Sequence, residues 1–165
     1  MRPARASLGR ASGFTLLEVL VVVAIIAIIV GLAGVQLMRG PDEAVREESE
    51  RLALLLQAAR EESILQGRVF AFGAGRDTYG FLRLERDGKL KLAKDDELLH
   101  PRRLPAGIAI EAFQVEGMAE DAPIKGVVFQ PSGDLPAFRI LLGGGGMRWS
   151  VVGSPDGTIR AQAGS

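Results

Sequence analysis

Residues 13–38 read GFTLLEVLVVVAIIAIIVGLAGVQLM, and in the 25 residues from Phe14 to Met38 the only ionisable side chain is Glu18. At about 1.5 Å per residue this run makes a helix of roughly 37 Å, enough for a hydrocarbon core of about 30 Å. It reads as a membrane anchor. Arg2, Arg5 and Arg10 precede it without an acid, so the short N-terminal arm stays cytoplasmic and the remainder is exported. A cleaved secretory signal is one alternative, and Gly31, Ala33 and Gly34 offer small residues near the end of the run. Such a signal has a shorter apolar region than this. An ordinary signal anchor is the other alternative. It gives no reason for an acid one turn inside the membrane, where a charge costs about 2.5–3.5 kcal/mol, so Glu18 asks for a compensating cation.

Around this segment the chain is ordinary in bulk. It has 165 residues, 47% of them hydrophobic, with 20 Lys+Arg against 20 Asp+Glu, one His and no Cys. That suits one compact exported domain and excludes a disulfide-stapled or wholly disordered chain. The balanced charge gives no basic excess to attract nucleic acid or anionic lipid. Without Cys there is no thiol nucleophile and no Cys-ligated zinc. His100 alone cannot build a His-rich metal site, and any hydrolase triad would have to run through it.

Beyond the anchor the chain is crowded with charge from Asp42 to Arg68. Gly40-Pro41 predicts a kink, after which Asp42 and Glu43 sit where acids favour a helix start. Val45, Leu52, Leu56 and Ala59 recur at helical spacing and mark one apolar face, with Arg46, Glu47, Glu50, Arg60 and Glu61 largely elsewhere. Gly67 predicts the end of this helix. From Arg68 onward the pattern changes to short β-rich runs: residues 69–72, 79–84, 90–92, 108–115, 127–129, 138–142, 149–152 and 158–161. Asp87-Gly88 suits a tight hairpin, while Ser154-Pro155-Asp156-Gly157 and Gly143 to Gly146 read as loops between neighbouring strands. No helices alternate with the strands, which points to an antiparallel α+β fold and away from a doubly wound one.

Several constellations invite a chemical reading. The four consecutive glycines lack the Lys-Ser/Thr of a phosphate loop and read as a hairpin connection. Asp95-Asp96-Glu97 lacks the spaced oxygen ligands of a calcium loop and reads as a solvated acidic turn. Ser132, Asp134 and His100 contain the atoms of a triad, but Ser132 has no nucleophile-elbow context. Arg102-Arg103 reads as a solvated pair in a Pro-bounded loop. These readings lead to no enzyme, no metal and no cofactor.

Gly13-Phe14-Thr15-Leu16-Leu17-Glu18, with its basic leader and the apolar run after it, resembles the class III signal of type IV pilins and type II secretion pseudopilins. The resemblance implies that a prepilin peptidase cuts between Gly13 and Phe14 and methylates the new N-terminus, and that the apolar segment is retained. It also supplies the cation that Glu18 asks for: the Phe14 ammonium of a neighbouring subunit, so that neutralisation within the bilayer rewards assembly. Loss of the three leader arginines leaves 17 basic against 20 acidic residues, a net charge of −3.

Further along, Val127-Val128-Phe129-Gln130-Pro131-Ser132-Gly133, Phe138 to Leu142 and Gly157-Thr158-Ile159 resemble the C-terminal pattern of the GspH/FimT group of minor pilin-like proteins. Ala58-Ala59-Arg60-Glu61-Glu62-Ser63 is similar to that group's helix exit. The resemblance implies a pilin-like α+β fold, in which a long N-terminal helix, half anchor and half amphipathic, packs on antiparallel β-sheets. The expected organisation is a basic leader at 1–13, a transmembrane half-helix at 14–40, an exported amphipathic half at 41–67 and a periplasmic β-rich domain at 68–165. The expected location is the inner membrane, crossed once. The expected function is that of a minor pseudopilin of type II secretion, which caps or primes the pseudopilus; its partners would be the peptidase, the other major and minor pseudopilins and possible secreted substrates. A FimT-type minor pilin of a type IV pilus is the alternative, and some of that type take up DNA through a basic C-terminal region. Here Arg160 is the only basic residue from Gly153 to Ser165, which gives nucleic acid little to bind. A monomeric anchored binding or sensor protein, and an anchored hydrolase acting through His100, are the competing classes.

Overall fold

The computed structural model describes residues 16–37, 41–118 and 126–164. The chain divides into two compact units, Met1–Arg39 and Gly40–Ser165. In the first, α1 spans Leu16–Leu37. The second begins with α2 (Pro41–Gln66) and continues, among the described residues, through nine strands: β1 (Phe70–Ala74), β2 (Thr78–Leu84), β3 (Leu90–Leu92), β4 (Arg102–Arg103), β5 (Ala109–Val115), β6 (Val127–Phe129), β7 (Phe138–Gly144), β8 (Met147–Gly153) and β9 (Ile159–Ala163). The expected kink at Gly40-Pro41 involves residues outside the described set.

Pro41 opens α2, where its missing N–H leaves no hydrogen bond unmade. Val45, Leu52, Leu56 and Ala59 are fully buried, as their spacing predicts. Arg46 pairs on the exposed side with Glu43 at 3.5 Å and Glu50 at 3.4 Å. The helix ends as a Schellman turn: Gly67 takes φ 61°, and the Arg68 N–H donates to the Ser63 carbonyl at 3.2 Å. The buried Ser63 hydroxyl lies 2.7 Å from the Arg68 carbonyl and 2.9 Å from the Phe129 carbonyl, tying the helix exit to β6.

The strands form two antiparallel sheets. One has the order β3-β2-β1-β6, and β4 shares the outer edge of β2 with β3; the other has the order β5-β7-β8-β9. Helix α2 packs over β7, β8 and β9 and also touches β1 and β6, so one helix covers both sheets. Within the first sheet, Phe70, Phe72, Phe81 and Phe129 are buried completely. Phe72 touches Phe81 at a centroid distance of 5.3 Å and, across the two sheets, Phe113 of β5 edge-on at 5.7 Å. The Gln57 amide donates to the Ile159 carbonyl at 3.0 Å, fastening the helix to edge strand β9.

Two sequence expectations need correction. Arg102-Arg103 is not only a loop pair: these residues form β4, in register with Tyr79 and Thr78. Arg103 reaches Asp77 at 3.6 Å, and Arg102 donates to the Leu98 carbonyl at 3.0 Å. A two-residue bridge leaves no periodicity to read. Gly143 and Gly144 are strand residues at the end of β7, opposite Arg148 and Met147, and only Gly145 and Gly146 make the turn. A run of four glycines conceals where the ladder stops, because no side chain marks the pleat.

Candidate functional site

In α1 Glu18 lies in the first turn of the described helix. The described side chains, Leu16 to Ile29, are exposed on every side of the helix, Leu16 to 84%. A helix apolar all round has no stripe with which to seat itself on a globular core; it suits surroundings that are themselves apolar, a membrane or a bundle of like helices. Among the described residues no helix is long and apolar enough to cross a membrane; the expectation of an anchor rests on the sequence from Phe14 to Met38. Gly13 and Phe14 lie outside the described residues, so the junction expected there has no described geometry.

In the second unit, among the described residues, one carboxylate is buried. Glu48 is 5% exposed and is held by Arg51, at 2.6 Å, and by the Tyr79 hydroxyl, which donates at 3.2 Å. Burial first, and then the neighbouring carboxylate, push the Tyr79 hydroxyl up to about 12. Burial pulls Arg51 down, but its hydrogen bond to Glu48 and the nearby negative charge outweigh this and hold it above its ordinary value. The cluster joins α2 to β2. It was not legible in the sequence, because Glu48 stands among six other charged residues between Asp42 and Arg51 and nothing in the pattern sets it apart.

The residues with catalytic or metal-binding potential are placed apart in their bonding. Ser132 donates to Asp134 at 2.8 Å, whereas the His100 Nδ1 is engaged with the backbone carbonyls of Asp96 and Glu97 at 3.3 and 3.0 Å. No hydrogen bond joins His100 to that pair among the described residues. Asp96 accepts the N–H groups of Leu98 and Leu99 at 2.9 and 2.8 Å, so its carboxylate closes a turn. Asp87 and Asp156 do the same for Lys89 and Thr158, and those backbone hydrogen bonds hold both carboxyls below their ordinary value.

Comparison with known proteins identifies the architecture. Residues 48–157, two thirds of the chain, match the family described as Type II transport protein GspH. The chain belongs to the GspH family. Residues 8–34 also match the prokaryotic N-terminal methylation motif, a match that spans Gly13, Phe14 and Glu18. The type II secretion system protein H of Pseudomonas aeruginosa is 33% identical over 148 residues, covering 79% of this chain and 81% of that protein. The protein of the same name from Aeromonas hydrophila is 28% identical over 150 residues, covering 81% of each. Among solved structures, a crystal structure of the minor pseudopilin EpsH from the type II secretion system of Vibrio cholerae matches with a TM-score of 0.64. It is 20% identical, and the match covers 75% of this chain and 96% of that one. A second EpsH structure matches with a TM-score of 0.60 at 22% identity, covering 72% and 96%. The fold is thus α+β and pilin-like, as in the EpsH structures, and the chain is a member of the family of type II transport proteins described as GspH. The family is one of structural proteins.

The family match begins at Glu48, the carboxylate buried beneath Tyr79, and ends at Gly157. It therefore spans most of the helix face, the first sheet and strands β5, β7 and β8 of the second, while Val45 and β9 lie outside it.

Proposed function

We propose that this chain works by assembly rather than chemistry: a prepilin peptidase cuts between Gly13 and Phe14, Phe14 becomes N-methylated, and the retained helix joins the apolar core of a pseudopilus. The four segments are then the leader 1–13, the anchor 14–40, the exported helix 41–67 and the periplasmic domain 68–165. Before assembly the chain waits in the inner membrane, crossing it once. The observation that carries this reading is the methylation-motif match over residues 8–34, set against a helix that is apolar on every described side and has Glu18 in its first turn. In a staggered bundle that carboxylate meets the Phe14 ammonium of a neighbouring pseudopilin, and in hydrocarbon neither charge is tolerable alone. The pair rewards association over the solitary anchored state. As a minor subunit, the protein caps or primes the fibre.

Glu18→Leu tests this reading. Removing one partner of a buried ion pair costs about 3–5 kcal/mol, whereas anchoring loses nothing when a membrane charge disappears. The variant is expected to be cleaved and inserted normally and to fail in co-purification with the other pseudopilins and in secretion. Normal co-assembly with Leu at position 18 would refute the pairing.

A further inference from the structure

Near its C-terminus, α2 presents Glu61, Glu62 and Leu65 on one side, and the segment around Asp96, Glu97 and Leu98 lies across from them. Between them is a groove of about 290 Å³. Leu99 at its floor belongs to the core, but two of its apolar members do not: Leu65 is 80% exposed and Leu98 50%. In a solitary domain they would stand in water beside four carboxylates. Among the described residues, no Lys or Arg is ion-paired with any of the four; of the three cations of α2, Arg46 pairs with Glu43 and Glu50, Arg51 pairs with Glu48, and Arg60 donates to the Gly133 carbonyl. Asp96 is occupied with turn N–H groups and Glu62 with Gln66, contacts that orient the carboxylates without removing their charge. The dipole of α2 adds to the negative field at its C-terminal end.

We propose that this groove is where the exported domain docks on another pseudopilin, through a segment that sets a Lys or Arg beside a large apolar side chain. The proposal deepens the assembly reading and rests on it. The chemistry narrows the occupant. Four carboxylates around an apolar floor repel phosphate, which excludes nucleic acid and an anionic lipid surface. The volume lies at the lower bound of small-molecule sites, about 300 Å³, and suits one or two inserted side chains. Seating an apolar side chain on Leu65 and Leu98 would remove both from water, while the cation answers the rim; such pairing at a rim sets partner choice and orientation more than raw affinity.

The experiment uses the full-length chain co-expressed with the other pseudopilins of its secretion system, with a photo-crosslinking amino acid at Leu65. One pseudopilin should be captured, and the crosslinked peptide should contain a Lys or Arg next to an apolar residue. Glu61→Lys combined with Glu97→Lys should lower the yield about tenfold, and Glu61→Gln with Glu97→Gln should lower it less. Mature mass and Trp149 fluorescence should stay unchanged, because these positions are exposed. Yield unaffected by charge reversal, or capture of only lipid or a second copy, would overturn the proposal. So would absence of any crosslink while the unmodified chain still co-purifies with its partners, and that result would leave the assembly reading standing. If the unmodified chain fails to co-purify at all, both fall.

Discussion

The Arg60 guanidinium occupies the space a side chain at Gly157 would need: a Cβ there would stand 2.6 Å from Arg60 Nη2. Gly157 takes φ 85°, in the turn before β9, and Arg60 Nε donates to the carbonyl of Gly133 at 3.1 Å, in the loop after β6. One side chain of α2 thus meets a loop from each sheet at a point where both loops turn through positive φ. This gives a physical reason for the glycines in the segments 127–133 and 157–159.

Gly157→Ala should destabilise the second unit by about 1–3 kcal/mol, through backbone strain at positive φ together with displacement of Arg60. Arg60→Ala should cost about 1.5–3 kcal/mol, the range for hydrogen bonds made by a charged group. The two losses should not add. With Arg60 already removed, Gly157→Ala should retain only its backbone part, and urea unfolding of the four members of the cycle measures that coupling.

A fragment that begins at Gly40 should be soluble, folded and monomeric. It contains the whole second compact unit, and the buried face of Val45, Leu52, Leu56 and Ala59 keeps the sheets it covers. Circular dichroism and sedimentation check this; aggregation, or a spectrum without β-structure, would count against the α+β architecture as a self-sufficient unit.

Tyr79 predicts a pH dependence at the alkaline end. Its hydroxyl titrates near 12 in the folded protein, against 10.0 when free. A group whose folded value is raised contributes stability that is fully present below pH 10 and is lost as pH rises toward 12, at up to about 1.4 kcal/mol per pH unit. Tyr79→Phe should remove that part of the slope while leaving the contribution of other groups. Because Tyr79 is the only tyrosine, phenolate absorbance of the same fragment reports its titration directly; ionisation near pH 10 would contradict the buried contact with Glu48.

How far the sequence disclosed this molecule depended on the kind of signal. The 3.6-residue period of Val45, Leu52, Leu56 and Ala59 named the buried helix face, because packing against two sheets demands one continuous apolar stripe. Strands β1, β2, β5, β7 and β8 were visible as β-branched and aromatic runs, each with ends displaced by up to two residues. Strand β4 was not, since Arg102 and Arg103 pair through their backbone and show no pattern of their own. Arg60 and Glu48 belong to the same class of omission: each is a charged residue in a charged helix, and only the fold shows that one closes on a glycine pair and the other is buried under a tyrosine. The groove between Leu65 and Leu98 joins residues more than thirty positions apart, beyond the reach of any local period. The signals at Gly13, Phe14 and Glu18 were of another kind: Glu18 stood out as the one ionisable side chain in an apolar run, whereas the roles expected of Gly13 and Phe14 came from the resemblance to class III signals.

Mass spectrometry of the intact mature protein from its membrane, with sequencing of its first residues, tests the account most directly. The account predicts a chain that lacks residues 1–13 and starts at N-methylated Phe14, and an uncleaved precursor for Gly13→Val, whose branched side chain obstructs the cut. A mature protein that keeps the Arg2, Arg5 and Arg10 leader, or normal maturation of Gly13→Val, would contradict it.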